Sequence, residues 1–111
     1  MSQDIYDAFQ SVEMRIGRVL SAELNPKAKV PSFKMVIDFG ELGVRNCSGQ
    51  YPALYSPEAI IGKQVVCVMN LGSRRIAGFE SQVLMLGAPD AQGNAVLLST
   101  EQDVPLGSKV F

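Results

Sequence analysis

Ser56-Pro57-Glu58-Ala59-Ile60-Ile61-Gly62 is the segment on which the fold turns. A hydroxyl able to cap a helix, a proline suited to the first helical position and a closing glycine describe one or two helical turns. Everything around it reads as strand. Downstream, residues 64–71 form a continuous apolar strand, 83–88 a second and 95–99 a third, with 89–94 as the connecting hairpin loop. Val104-Pro105-Leu106-Gly107 makes a last turn before a short terminal strand.

Upstream, Phe33, Met35, Ile37 and Phe39 alternate with Lys34, Val36 and Asp38, the cleanest period of two in the chain. Gly40-Glu41-Leu42-Gly43 is a turn, and residues 44–48 return as the antiparallel partner. Residues 25–32 hold two prolines and two lysines and read as an extended surface loop. Residues 14–24 also alternate by two but slip near Gly17 to Val19, the pattern of a long strand bent at a glycine bulge and shared by both halves of a barrel. Asp4 ahead of Ile5, Tyr6, Ala8, Phe9 and Val12 predicts a short amphipathic helix packed over one end of the domain.

Several short strands, one brief helix midway and no second helical layer define a closed all-β architecture. In the OB fold, a five-stranded Greek-key barrel, a helix sits between the third and fourth strands, where residues 56–62 fall. At 111 residues the expectation is a single domain spanning 1–111, able to bury roughly two thirds of its unfolded surface. There is no internal repeat, linker or low-complexity segment.

Composition removes several function classes. A hydrophobic share of 47% with 19% charged residues is that of a folded protein. No run approaches the roughly 18 apolar residues of a membrane span, and the amino terminus lacks the basic start and apolar stretch of a signal peptide, so a cytoplasmic protein without membrane contact is expected. Cys47 and Cys67 have no CxxC partner and read as strand residues. Histidine is absent, which removes the commonest general base, the Cys-His and Ser-His dyads and imidazole metal ligands. No glycine cluster matches a phosphate-binding loop, and the spacing of Asp38, Glu41 and Glu80 brings no two carboxylates together. No catalytic residue, metal site or cofactor is expected, and the chain reads as a binding protein rather than an enzyme.

Formal net charge is −1, but its distribution is uneven. Residues 13–45 carry six basic and four acidic groups, and 63–85 carry Lys63, Arg74 and Arg75 against Glu80, whereas both ends are acidic. Such local excesses steer an anionic ligand to one face. Arg74 and Arg75 follow an apolar strand and precede Ile76-Ala77-Gly78, which puts them on a loop or strand edge. Adjacent arginines repel unless an anion or carboxylates answer them, so they either hold a ligand or form a solvated loop paired with Glu80. Lys27, Lys29 and Lys34, with Arg45 on the facing strand, either extend that patch or form the polar outer face of a half-buried sheet. Asn46, Ser48 and Gln50 could line a polar pocket, and turn hydrogen bonding explains them equally well. Phe79, beside Gly78 in a loop, is the better placed of two aromatics for stacking on a base; Phe33 alternates as a core residue.

Phe9 with Val12-Glu13-Met14-Arg15-Ile16-Gly17, Asn25-Pro26-Lys27-Ala28-Lys29-Val30-Pro31, Lys34-Met35-Val36-Ile37-Asp38-Phe39-Gly40 and Arg74-Arg75-Ile76-Ala77-Gly78-Phe79-Glu80-Ser81 occur in an order that resembles the tRNA-binding domain family. That family includes the carboxy-terminal domain of bacterial methionyl-tRNA synthetases, and the likeness is to its CsaA-type members. Relatives with the clearest tRNA role carry His-Pro-x-Ala-Asp-x-Leu where this chain has Asn25 to Pro31, which sets it with the CsaA type. The resemblance implies an OB fold with added terminal segments, a homodimer, non-catalytic tRNA binding and chaperone-like action on exported or unfolded polypeptides. It implies Arg74, Arg75, Ser81, Lys34, Asn70 and Gln82 as RNA contacts, with Arg45 in the wider patch. The alternative is a polypeptide-binding, export-related chaperone without a tRNA role, using apolar surface near Phe79 and Met85 or the dimer seam.

Overall fold

A computed structural model describes residues 4–111; the first three residues of the amino-terminal stretch lie outside them. Helix α1 (Ile5–Ser11) is capped by the Asp4 carboxylate, which accepts from the Asp7 amide at 2.8 Å. It does not pack over the barrel end as the sequence predicts: α1 buries no residue, and Ile5 and Tyr6 are 84% and 69% exposed. Its apolar stripe is turned away from the rest of the chain.

Strand β1 (Met14–Leu24) is the backbone of the barrel. Its first half, Met14 to Arg18, pairs with β4 (Gln64–Val68), and its second half, Arg18 to Leu24, pairs with β2 (Phe33–Asp38). The expected bend is present but displaced, since the register shifts between Val19 and Ser21 rather than at Gly17. Gly17 has a different reason to be glycine: a Cβ there would lie 2.5 Å from Ile37 Cγ2 and 2.7 Å from Phe39 Cε1.

In β2 burial alternates as the sequence predicts, with Phe33, Met35 and Ile37 inside. A 3-10 turn (Gly40–Leu42) leads into β3 (Val44–Gly49), antiparallel to β2 throughout. Helix α2 (Pro57–Ile60) follows, with Ser56 Oγ accepting from the Ala59 amide at 3.1 Å and Gly62 at φ 91° closing it. Its Ile60 is fully buried, and the Gly62 amide donates to the Val19 carbonyl at 2.8 Å, which fixes the helix against β1. The element between the third and fourth strands is therefore where the OB fold requires it.

Beyond Val68 the chain departs from the predicted continuous strands. β4 ends at Val68; one more bond in the β1 register, from the Met69 amide to the Glu13 carbonyl at 2.8 Å, follows it, and Leu71 is solvent-exposed. A hairpin follows, β5 (Arg74–Ile76) and β6 (Phe79–Ser81). The single strand expected at 83–88 divides into β7 (Leu84–Met85), which pairs with β4, and β8 (Gly87–Pro89), which pairs with β9 (Ala95–Leu97). The break falls at Leu86, and β8 opens on Gly87, where a Cβ would come 2.6 Å from the Tyr51 hydroxyl and 2.8 Å from the Val96 carbonyl oxygen.

The principal sheet runs β3-β2-β1-β4-β7 and is nearly closed into an antiparallel barrel around Val19, Phe33, Met35, Ile37, Phe39, Cys47, Val65 and Cys67. The gap between β3 and the end of β6 is bridged by side chains beside one backbone bond, from Gln82 N to the Asn46 carbonyl at 2.8 Å. Ser48 N donates to Ser81 Oγ at 2.9 Å and Asn46 N to Gln82 Oε1 at 2.8 Å. At the far end the carboxy-terminal segment is strapped along β1, with Gly107 N donating to the Ile16 carbonyl and Val110 N to that of Met14. The short terminal strand expected there is a single bridge, Arg15 to Lys109.

Candidate nucleic-acid interface

The β5–β6 hairpin turns on two residues, Ala77 at φ 47° and Gly78 at φ 82°, the pair of left-handed conformations that a tight hairpin demands. Its register is Arg74 opposite Ser81, Arg75 opposite Glu80 and Ile76 opposite Phe79. Successive strand residues point to opposite faces, so the two arginines do not act side by side. Arg74 faces the Ser81 side and lines a cleft; Arg75 faces the other way, with Glu80. Among the described residues the ion pairs are Arg15 with Glu13, Arg18 with Asp103 and Lys34 with Glu23. Among the described residues neither arginine of the hairpin is in an ion pair, although Glu80 lies across the ladder from Arg75.

Two clefts flank the hairpin. The larger, about 710 Å³, runs from Leu71 past Arg74 and Ser81 to an apolar wall of Val83 and Met85. The smaller, about 350 Å³, lies between the hairpin turn and the loop bearing Lys27 and Lys29. Ser32, Gln50 and Ile76 border both, which makes one groove with cations at its rim and apolar surface in its floor.

The loop and the hairpin are tied by Asn25, which is 6% exposed. Its Nδ2 donates to the Ala77 carbonyl at 3.3 Å, with a longer contact of 3.5 Å to that of Ile76, while Oδ1 accepts from the Lys27 amide at 3.0 Å. The short-range half of this arrangement is the turn that Asn followed by Pro favours. Its reach across 52 residues to the hairpin left no sequence signal, and Asn25 is the site residue that sequence reasoning missed.

Of the other candidates, Ser81 borders the groove but its hydroxyl is committed, accepting from Ser48 N and donating to the Val83 carbonyl at 3.2 Å. Gln82 is held at the barrel seam. Asn70 joins the end of α1 to β1, donating to the Ser11 carbonyl and accepting from the Glu13 amide, both at 2.9 Å. Lys34 borders a separate small hollow with Phe79, its Nζ 3.2 Å from Glu23 Oε1. Phe79 is half-buried at the start of β6 rather than in a loop. Arg45 bonds the adjacent Val44 carbonyl at 3.3 Å and borders neither cleft, and Met85 is 5% exposed. The structure thus brings Arg74, Ser81 and Met85 to one cleft, sets Lys34 and Phe79 together elsewhere, and uses Asn70 and Gln82 as internal fasteners.

The groups whose acidity departs from the ordinary lie inside the barrel. Burial pushes the Cys47 thiol up to about 11 and the Tyr51 phenol to about 12, and it raises Cys67 as well. Such thiols stay protonated and inert. Among the described residues no group of three histidine, cysteine or carboxylate side chains could hold a metal ion, and no helix is long and apolar enough to cross a membrane.

An OB-type barrel with a cation-rimmed groove along an outlying hairpin has the architecture of a ligand-binding domain, a class whose members bind oligonucleotides and oligosaccharides. Residues 14–109 match the family described as "Putative tRNA binding domain", and the chain belongs to that family. It is 34% identical over 110 residues to the methionine–tRNA ligase of Methanocaldococcus jannaschii and 37% identical over 102 residues to that of Methanothrix thermoacetophila, alignments covering 99% and 92% of the chain. The chain spans only 17% and 15% of those ligases' lengths. Among solved structures, the chaperone CsaA of Bacillus anthracis superimposes with a TM-score of 0.91 at 40% identity, covering 99% of this chain and all of that one. The CsaA chaperone protein of Picrophilus torridus gives 0.88 at 31% identity, over 98% of this chain and all of its own.

Proposed function

We propose that this chain is a non-catalytic tRNA-binding module that grips the RNA backbone along the groove beside the β5–β6 hairpin and works as a homodimer in the cytoplasm. The observation that carries the reading is that Arg74 and Arg75 stand on the β5–β6 hairpin outside any ion pair among the described residues, in a chain whose family is described as a putative tRNA binding domain. Guanidinium groups without internal partners are suited to phosphate, which they bind as planar forks. A homodimer answers the objection that one copy is too weakly charged, because two moderate sites on one rigid RNA add avidity without new contacts. The exposed stripe of α1 supports that assembly, since Ile5 and Tyr6 find little cover among the described residues. Titration of labelled tRNA across a salt series tests the proposal. Affinity should fall steeply with salt, and the combined Arg74→Ala and Arg75→Ala substitution should flatten that dependence; salt-independent binding overturns the reading.

A second reading, a polypeptide-binding chaperone, is favoured by one feature of the same groove. Leu71 and Leu84 are 60% and 47% exposed beside its apolar wall, and the two CsaA structures are of chaperones. Suppressed aggregation of an unfolded client that survives the double arginine substitution would support it. Absence of any effect at stoichiometric protein would remove it.

A further inference from the structure

Lys27 and the arginine hairpin belong to chain segments nearly 50 residues apart, yet they meet. A Cβ on Gly78 would lie 3.8 Å from Lys27 Cδ and 4.0 Å from its Nζ, so the ammonium sits over the turn joining the two arms of the hairpin. Among the described residues Lys27 forms no ion pair. Like charges repel, and nothing in their own chemistry draws the lysine-bearing loop to the arginine hairpin. What holds them is a neutral amide, the buried side chain of Asn25, which accepts from the backbone of Lys27 and donates to the backbone of the turn.

The turn itself is where Asn25 makes its long-range contact. Ala77 has φ 47°, the left-handed region that a residue with a Cβ avoids, and its carbonyl is the one Asn25 binds most closely. The two-residue hairpin demands that conformation, and a non-glycine residue in it is supported by the added bond from Asn25.

We infer that Asn25 is a positioning residue which locks the Lys27 loop and the Arg74-Arg75 hairpin into one anion-binding unit, so that Lys27 and Arg74 engage neighbouring phosphates of the same RNA strand. The inference rests on the tRNA reading above but adds a contact, Lys27, and a device, Asn25. The two bonds of Asn25 are separable by substitution. Asn25→Asp keeps the acceptor for the Lys27 amide and loses the donor to the turn; Asn25→Ala loses both.

The test uses the full chain with labelled tRNA over a salt series, together with amide hydrogen exchange of the free protein. Both Asn25 variants should accelerate exchange across residues 76–79, whereas the Lys27 amide should stay protected in Asn25→Asp and lose protection in Asn25→Ala. For Asn25→Ala the affinity should fall roughly tenfold and the salt slope by about 1, as if a phosphate contact were lost. Lys27→Ala should cost a similar share of the slope in the wild type and almost nothing in the Asn25→Ala background. Additive losses, or an unchanged slope in Asn25→Ala with wild-type binding intact, overturn the positioning role. Wild-type protein that fails to bind tRNA overturns the functional reading instead. In that case the exchange pattern still decides the clamp, and unchanged exchange at residues 76–79 in both variants rejects it.

Discussion

Gln82 answers Asn46 twice: its backbone amide donates to the Asn46 carbonyl at 2.8 Å, and its side-chain Oε1 accepts from the Asn46 amide at 2.8 Å. A glutamine amide here takes the place of a strand in closing the barrel beside β3. Replacing Gln82 by alanine leaves the Asn46 amide without its partner in a half-buried seam, which should cost about 1 to 2 kcal/mol. Urea unfolding would show it as a lowered midpoint with an unchanged slope. A midpoint equal to wild type would mean that water replaces the bond freely.

Gly17 should tolerate no side chain. The added methyl of Gly17→Ala would press on Ile37 and Phe39, both fully buried, and neither can withdraw without disturbing β2. Overpacking of this kind costs about 1 to 3 kcal/mol. Thermal unfolding would register it, and the loss should shrink when Ile37→Val is added, since the clashing Cγ2 then has freedom to shift.

The hairpin arginines should differ in effect because they face opposite ways. Arg74→Ala should lower the salt slope for tRNA by about 1, whereas Arg75→Ala, on the side shared with Glu80, should lower it less. Glu80→Gln removes a negative charge beside Arg75 and should tighten tRNA binding at low salt. Equal losses from the two arginine substitutions would count against a groove on the Arg74 face.

The buried thiol predicts the alkaline behaviour. Cys47 ionises near its ordinary 9.0 when exposed but near 11 in the fold, because burial disfavours the thiolate. Above pH 9 the unfolded chain therefore loses a proton that the folded chain retains, and stability falls as pH rises from 9 to 11. Cys47→Ser, followed by urea unfolding at pH 8 and pH 10, should show a smaller drop between the two than the wild type does.

The apolar stripe of α1 should be dispensable to the barrel. Ile5→Lys with Tyr6→Lys removes two residues that are 84% and 69% exposed, so urea unfolding of the monomeric form should be nearly unchanged. If the homodimer forms through this stripe, sedimentation should shift toward the monomer. A dimer that survives the pair of charges would exclude α1 from the interface.

Much of the architecture is legible because it is written locally. The alternation from Phe33 to Ile37 reads directly as a strand with one face inside, and Ser56, Pro57 and Gly62 delimit α2 through caps that act within a few residues. The division of the strand after Val83 is not local, for Gly87 answers to Tyr51 and Val96 on other elements. The site is harder to read for a related reason. Ser81, Gln82 and Asn70 have the donors and acceptors of a ligand surface, and no sequence pattern distinguishes a polar group aimed at a ligand from one spent on a neighbouring backbone. The arginines were conspicuous by charge, but their separation to two faces follows only from their being in a strand.

Arg18 sits in both registers of β1, opposite Gln64 on one side and Asp38 on the other. One half of that strand must find β4, some fifty residues downstream, and its partner β2 is reached only across the loop that Asn25 and Ser32 close. The β2–β3, β5–β6 and β8–β9 hairpins form without this strand, but β2 and β4 are joined into one sheet only through it. Pairings so distant along the chain make for slow folding, on the millisecond-to-second scale roughly. For the nascent protein the consequence is temporal: β1 is made before β4, and its amino-terminal half waits without that sheet partner until β4 has been synthesised.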